Sequence, residues 1–141
     1  MVSIQIASDE PTIAACFAVM QALRPHLQDK ASFIAQLERQ SAQGYRLFAA
    51  HHAGQVIGVA GYRELENFLY GRFIYLDDLV VAESARNLGV GQKLIEAVRH
   101  EAKRLHCAYL VLDTGLANCC AQKFYFRHGF LSRGLHFSQS L

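Results

Sequence analysis

The chain has 141 residues with 52% apolar and 18% charged side chains, a profile of one core, with size enough to need neither disulfides nor a structural metal. Fourteen Lys+Arg against twelve Asp+Glu leave a net charge of +2, too mild for an electrostatic grip on nucleic acid. Its four cysteines, Cys16, Cys107, Cys119 and Cys120, follow no metal-ligand spacing, which predicts reduced thiols in the cytoplasm. The seven histidines, His51-His52, His100 and His106 among them, likewise suggest no metal site. Neither a secretion signal nor a membrane span is expected, because no window approaches 18 uninterrupted apolar residues.

In chain order, Val2–Ala7 alternates as a strand, and Ser8 or Asp9 caps a helix to about Arg24 whose buried stripe is Ile13, Phe17, Met20 and Leu23. Asp29 caps a second helix to about Ala42, with Phe33, Ile34 and Leu37 inward, before Gly44 ends it. Tyr45–His51 and Val56–Arg63 form an antiparallel hairpin turned by Ala53-Gly54. Residues 64–71 are expected as a loop, with Glu64, Glu66, Phe68, Leu69 and Tyr70 available to a ligand or simply to solvent.

Arg72–Val81 has the β-branched and aromatic content of a central strand, although Asp77 and Asp78 interrupt it. Neighbouring strand residues point to opposite faces, so only one of the two aspartates is expected to face a given cleft. A helix from Gly89 to Leu105, with Leu94, Ile95, Val98 and Leu105 inward, leads to a strand at Ala108–Asp113, which implies a parallel right-handed crossover. Arg99, Lys103 and Arg104 fall on its exposed face. Asn118 begins a last helix to about His128, Gly129 ends it, and a final strand is expected over Leu131–Phe137. The order βααβββαβαβ predicts an α/β fold: a mixed central sheet flanked by helices, in a single domain over residues 1–141.

The turn Arg86-Asn87-Leu88-Gly89-Val90-Gly91 joins a buried strand to an amphipathic helix, where glycines let backbone N–H groups face an anion. It matches neither GxxxxGK[ST] nor GxGxxG, so another pyrophosphate carrier is needed. The segment Tyr75–Phe130 resembles the GNAT N-acetyltransferase superfamily in three parts, taken in order: LVV followed by RNLGVG, the strand YLVLD, and Asn118-x-x-Ala121-x-x-Phe124-Tyr125-x-x-x-Gly129-Phe130. Ala82-Glu83 and Gln92 depart from the family pattern, and the tail after Phe130 is short.

The resemblance implies acetyl-CoA as cofactor. It places the pantetheine arm on Leu79, Val80 and Val81, and the pyrophosphate on Arg86, Asn87, Leu88, Gly89, Val90, Gly91 and Gln92. It gives Asn118 a hydrogen bond to the cofactor arm and Tyr125 the role of general acid to the leaving thiolate, with helix capping and packing as the structural alternatives. An alkylamine of pKa about 10.4 is neutral only about once in 2,500 molecules at pH 7, so a base is needed. Asp77, Asp78 and Asp113 are the candidates, with a water-only route beside them and an ion pair to Arg or Lys as the alternative for Asp78. The implied activity is direct acetyl transfer to a primary amine of a small molecule or peptide, without nucleic-acid or membrane partners, in a superfamily where homodimers are common. A non-catalytic domain that binds or senses CoA is the alternative.

Overall fold

The computed structural model describes all 141 residues, in the order β1 (Ser3–Ile6), α1 (Glu10–Leu23), α2 (Lys30–Ala42), β2 (Tyr45–His52), β3 (Gln55–Asn67), β4 (Gly71–Val81), a 3-10 turn (Glu83–Ala85), α3 (Val90–Arg104), β5 (Tyr109–Leu112) and α4 (Cys119–Arg127). By internal packing it divides into two units, residues 1–111 and 112–141.

In the first unit the strands form one sheet in the order β1-β2-β3-β4-β5, with β1 to β4 successively antiparallel. The β5 strand joins through Ala108 N–H donating to the Arg72 carbonyl at 2.8 Å. That bond lies at the start of both strands, with α3 between them, so β5 runs parallel to β4 and the sheet is mixed. At four residues β5 spans about 13 Å, whereas β4 has eleven residues. It therefore lines only the first part of β4.

Local signals set the helix ends. The Asp9 carboxylate accepts from Thr12 N–H at 2.9 Å and the Asp29 carboxylate from Ser32 N–H at 2.8 Å, each satisfying an orphan donor of the first helical turn. Both caps use the adjacent hydroxyl as well. Gly44, at φ +95°, turns the chain from α2 into β2.

Strand alternation divides the core. Tyr45, Leu47, Ala49 and Val59 join Cys16, Val19 and Met20 of α1 and Phe33 and Leu37 of α2 in one buried cluster. A Cβ on Gly58 would touch Val90 and Leu94, so the opposite face of β3 packs on α3. Val90, Leu94, Ile95, Val98 and Ala102 are the buried stripe of α3, with Leu105 at its cap only half-buried.

Four expectations are corrected. The α1 stripe centres on Cys16, Val19 and Met20, with Ile13, Phe17 and Leu23 at its margins, because the helix meets the sheet one residue round from the apolar count. Residues 64–71 are not a loop: β3 continues to Asn67 and β4 starts at Gly71, in register Glu64↔Ile74, Leu65↔Phe73 and Glu66↔Arg72. An Arg72–Glu64 ion pair spans these strands, and the Asn67 side chain accepts from Leu69 and Tyr70 N–H to close the turn. Asp77 and Asp78 do not alternate, as described below. Finally, no strand forms over Leu131–Phe137: residues 131–141 are exposed and have no regular structure, with Leu131, Leu135 and Phe137 in solvent. Nothing buries an apolar face there, so the pattern has no sheet to join.

In the second unit, Asn118 Oδ1 accepts from Ala121 N–H at 3.1 Å and starts α4. Gly129, at φ +89°, ends it, and Phe130 N–H donates to the Tyr125 carbonyl at 3.0 Å. No helix of the chain is long and apolar enough to cross a membrane.

Candidate active site

Gly61 pairs with Asp78 while the next residue, Tyr62, pairs with Leu76, so Asp77 is a bulge in β4 with no residue opposite it. A bulge interrupts the two-residue period. Leu76 shares the face of its partner Tyr62, and Asp78 shares that of Gly61. With Asp77 inserted between them, both carboxylates reach the side of the sheet that carries α1 and α2. Both line one cavity of about 310 Å³, together with Arg24, His26, Tyr45, Gln36, Gln40 and the apolar side chains of Met20, Leu27, Phe33 and Leu37. The expectation that only one aspartate faces the cleft is thus overturned by the extra residue.

Each carboxylate has an arginine. Arg63 grips Asp77 in a two-pronged pair, Nε to Oδ2 at 2.9 Å and Nη2 to Oδ1 at 2.8 Å. That grip, ahead of the opposing effect of partial burial, raises the Arg63 pKa above its ordinary value. Arg24, at the end of α1, donates from Nε to Asp78 Oδ1 at 3.0 Å and from Nη2 to the Asp77 carbonyl at 2.9 Å. It therefore pins both the carboxylate and the backbone of the bulge. The Tyr45 hydroxyl donates to Asp78 Oδ2 at 2.8 Å, and burial, followed by the Asp78 charge, drives its pKa far above the ordinary phenol value. The ion-pair alternative for Asp78 is what the structure contains.

Sequence reading missed Arg24, Arg63, Tyr45 and Gly61. Arg24 and Tyr45 lie 54 and 33 residues from Asp78, and no local pattern links them. The one available signal was Gly61, a residue without a side chain between Ala60 and Tyr62 at the end of an apolar stretch, which marks a close approach or a bulge.

The β4 strand continues from the bulge through the half-buried residues Leu79, Val80 and Val81, whose partners in β3 are Ala60, Val59 and Gly58. The turn follows. Asn87 at φ +72° and Gly89 at φ +71° are both left-handed, and Gly89 caps α3 without any side-chain acceptor for the amides of its first turn. Residues 86–89 are exposed, Val90 is buried, and Gln92 is exposed with its side chain on Glu96. Alternating left-handed residues turn successive N–H groups towards one point, and the helix dipole adds to them, so the arrangement fits a diphosphate. The chain thus runs from the acidic cavity through an extended backbone to a turn whose geometry fits an anion.

The remaining site candidates belong to the second unit. Asn118 spends its carbonyl oxygen on the α4 cap, leaving its amide nitrogen as donor. Tyr125 packs edge-on against Phe124 and Phe130, and burial raises its pKa, which keeps the phenol protonated. Asp113 lies 3.3 Å from His136 Nδ1 through Oδ2.

A family model described as Acetyltransferase (GNAT) family matches residues 13–130. The chain belongs to this family. Among curated relatives, an IAA acetyltransferase of Azospirillum brasilense is 24% identical over 138 residues, covering 95% of this chain and 88% of that protein. An uncharacterized N-acetyltransferase of Methanocaldococcus jannaschii is 31% identical over 62 residues, 43% of this chain and 40% of that one. Among solved structures, the aminoglycoside acetyltransferase AAC(6')-Iy bound to a CoA-linked bisubstrate analogue superposes with a TM-score of 0.84 at 22% identity, over 100% of this chain and 99% of that chain. A soil-metagenome aminoglycoside acetyltransferase in complex with sisomicin gives 0.82 at 17% identity, over 99% and 96%. These likenesses establish a GNAT fold over the whole chain.

Proposed function

We propose that this GNAT acetyltransferase moves an acetyl group from acetyl-CoA to a primary amine of a small molecule or peptide, by direct attack of the amine on the thioester while both substrates are bound. The observation that carries the reading is the succession along β4 and α3: two carboxylates in a cavity, then Leu79–Val81, then the left-handed turn at Asn87 and Gly89. CoA-bound relatives of the same fold support acetyl-CoA as donor.

The first-turn amides of α3 and the turn 86–92 hold the diphosphate, and the β4 backbone at Leu79–Val81 pairs with the pantetheine amides as an added strand would. The acetyl thioester supplies the electrophilic carbonyl. Asp77 and Asp78 orient the amine: each carboxylate oxygen already accepts one donor and retains capacity for another. Held by Arg63, Arg24 and Tyr45, these two carboxylates are fixed in place to position the amine. Asp113, 3.3 Å from His136 Nδ1, serves as the general base. Tyr125, held protonated by burial, donates to the departing thiolate, and the Asn118 amide nitrogen binds the cofactor arm.

Thiol release from acetyl-CoA over a panel of amines tests this. We expect release that Tyr125→Phe lowers by about 10²-fold or more, the ordinary yield of a general acid. Gly89→Trp should abolish CoA binding. The two arginine-paired aspartates favour one other reading, a domain that binds CoA without turnover, and tight CoA binding with no release for any amine would establish it.

A further inference from the structure

We propose that the amine held in the Asp77–Asp78 cavity carries a single positive charge on an apolar body, and that polyamines and aminoglycosides are poor ligands for it. The inference deepens the acceptor reading above and rests on that cavity being the acceptor site.

An ammonium group withdrawn from water needs acceptors for its three N–H donors, and every further charge adds a desolvation cost that only a net negative wall would offset. Among the charged groups at the cavity, Asp77 and Asp78 contribute two negative charges, while Arg24 on the wall and Arg63, paired with Asp77, contribute two positive ones. The cluster is therefore neutral. Its carboxylate oxygens can still accept from the three N–H donors of one ammonium group, but they cannot balance three or four charges spread over a larger molecule.

The rest of the wall points the same way. Met20, Leu27, Phe33 and Leu37 offer hydrocarbon and an aromatic ring, and the two amides, Gln36 and Gln40, bond to each other at 2.8 Å. No further carboxylate lines the cavity to meet a second ammonium. A volume of about 310 Å³ is at the small end of ligand sites, which suits an arylalkyl or branched alkyl amine. The four apolar side chains favour a ligand with a hydrocarbon or aromatic body beside its one ammonium group.

The test is calorimetric titration of the CoA-loaded protein with phenethylamine, isoamylamine, spermidine and neamine at one ionic strength. We expect the two monoamines to bind at least tenfold more tightly than either polycation. Gln36→Glu places an unpaired carboxylate at an exposed position of α2 on the cavity wall. It should tighten spermidine at least threefold more than it tightens phenethylamine. Polycations binding as tightly as the monoamines, no amine binding at all, or a Gln36→Glu protein with unaltered preference would each overturn the inference. Binding is read without turnover, so a protein that binds phenethylamine but transfers no acetyl group leaves this inference standing and refutes the enzymatic reading instead.

Discussion

A Cβ on Gly61 would lie 1.7 Å from the hydroxyl oxygen of Tyr45, so the Tyr45–Asp78 hydrogen bond exists only because the residue opposite Asp78 in β3 has no side chain. The phenol crosses β3 in the space that any other residue would fill. Gly61, Tyr45 and Asp78 form one unit that positions the bulge.

Gly61→Ala should therefore destabilise the protein by about 1–3 kcal/mol, the usual penalty for overpacking a buried site. Tyr45→Phe should cost about 1.5–3 kcal/mol, because it removes a hydrogen bond to a charged group. The double variant should be less destabilised than the sum of the two, since removing the hydroxyl relieves the nearest clash. Urea denaturation of the four proteins measures this, and strict additivity would contradict it.

Stability should fall as pH rises above 10. Burial raises the pKa of Tyr62 to about 12 and pushes Tyr45 and Tyr125 upward as well. An unfolded tyrosine deprotonates near pH 10, while the folded form holds its proton, so the unfolded state binds fewer protons and ΔG of unfolding declines with pH. The tyrosine contribution is whole below pH 10 and is lost progressively towards pH 12 and beyond. Urea midpoints at pH 8 and pH 11 should differ, and by less in Tyr45→Phe; equal midpoints in the wild type would refute the shifts.

At Gly89 the constraint is backbone conformation, because a Cβ there would meet nothing within 4 Å while φ is +71°. Gly89→Ala should cost about 1–2 kcal/mol from the left-handed conformation alone, and Gly89→Asn less. Acetyl-CoA affinity should follow the same order, wild type tightest, then Asn, then Ala, in calorimetric titration. An alanine variant as stable and as tight-binding as wild type would show that the turn geometry is dispensable.

Local signals made most of the fold legible. Asp9, Asp29 and Asn118 sit at helix starts, Gly44 and Gly129 at helix ends, and the α3 stripe shows as a 3.6-residue period. Charge hid the second half of β3: Glu64 and Glu66 read as loop, and only the strand opposite, with Arg72 paired diagonally to Glu64, makes them strand. The aspartate pair was legible as chemistry and illegible as geometry. A bulge depends on the register between two strands, and the partners of Asp77 and Asp78 arrive from α1, β2 and β3. The strand expected at Leu131–Phe137 failed for the converse reason: its alternation was local, and strand formation needs a neighbour.

The most direct measurement follows the backbone amides of ¹⁵N-labelled protein during titration with CoA. The account predicts saturable shifts concentrated at Asn87–Gln92 and Leu79–Val81, with one dissociation constant fitting both groups. Saturable binding that leaves these amides unmoved while shifting others would contradict it.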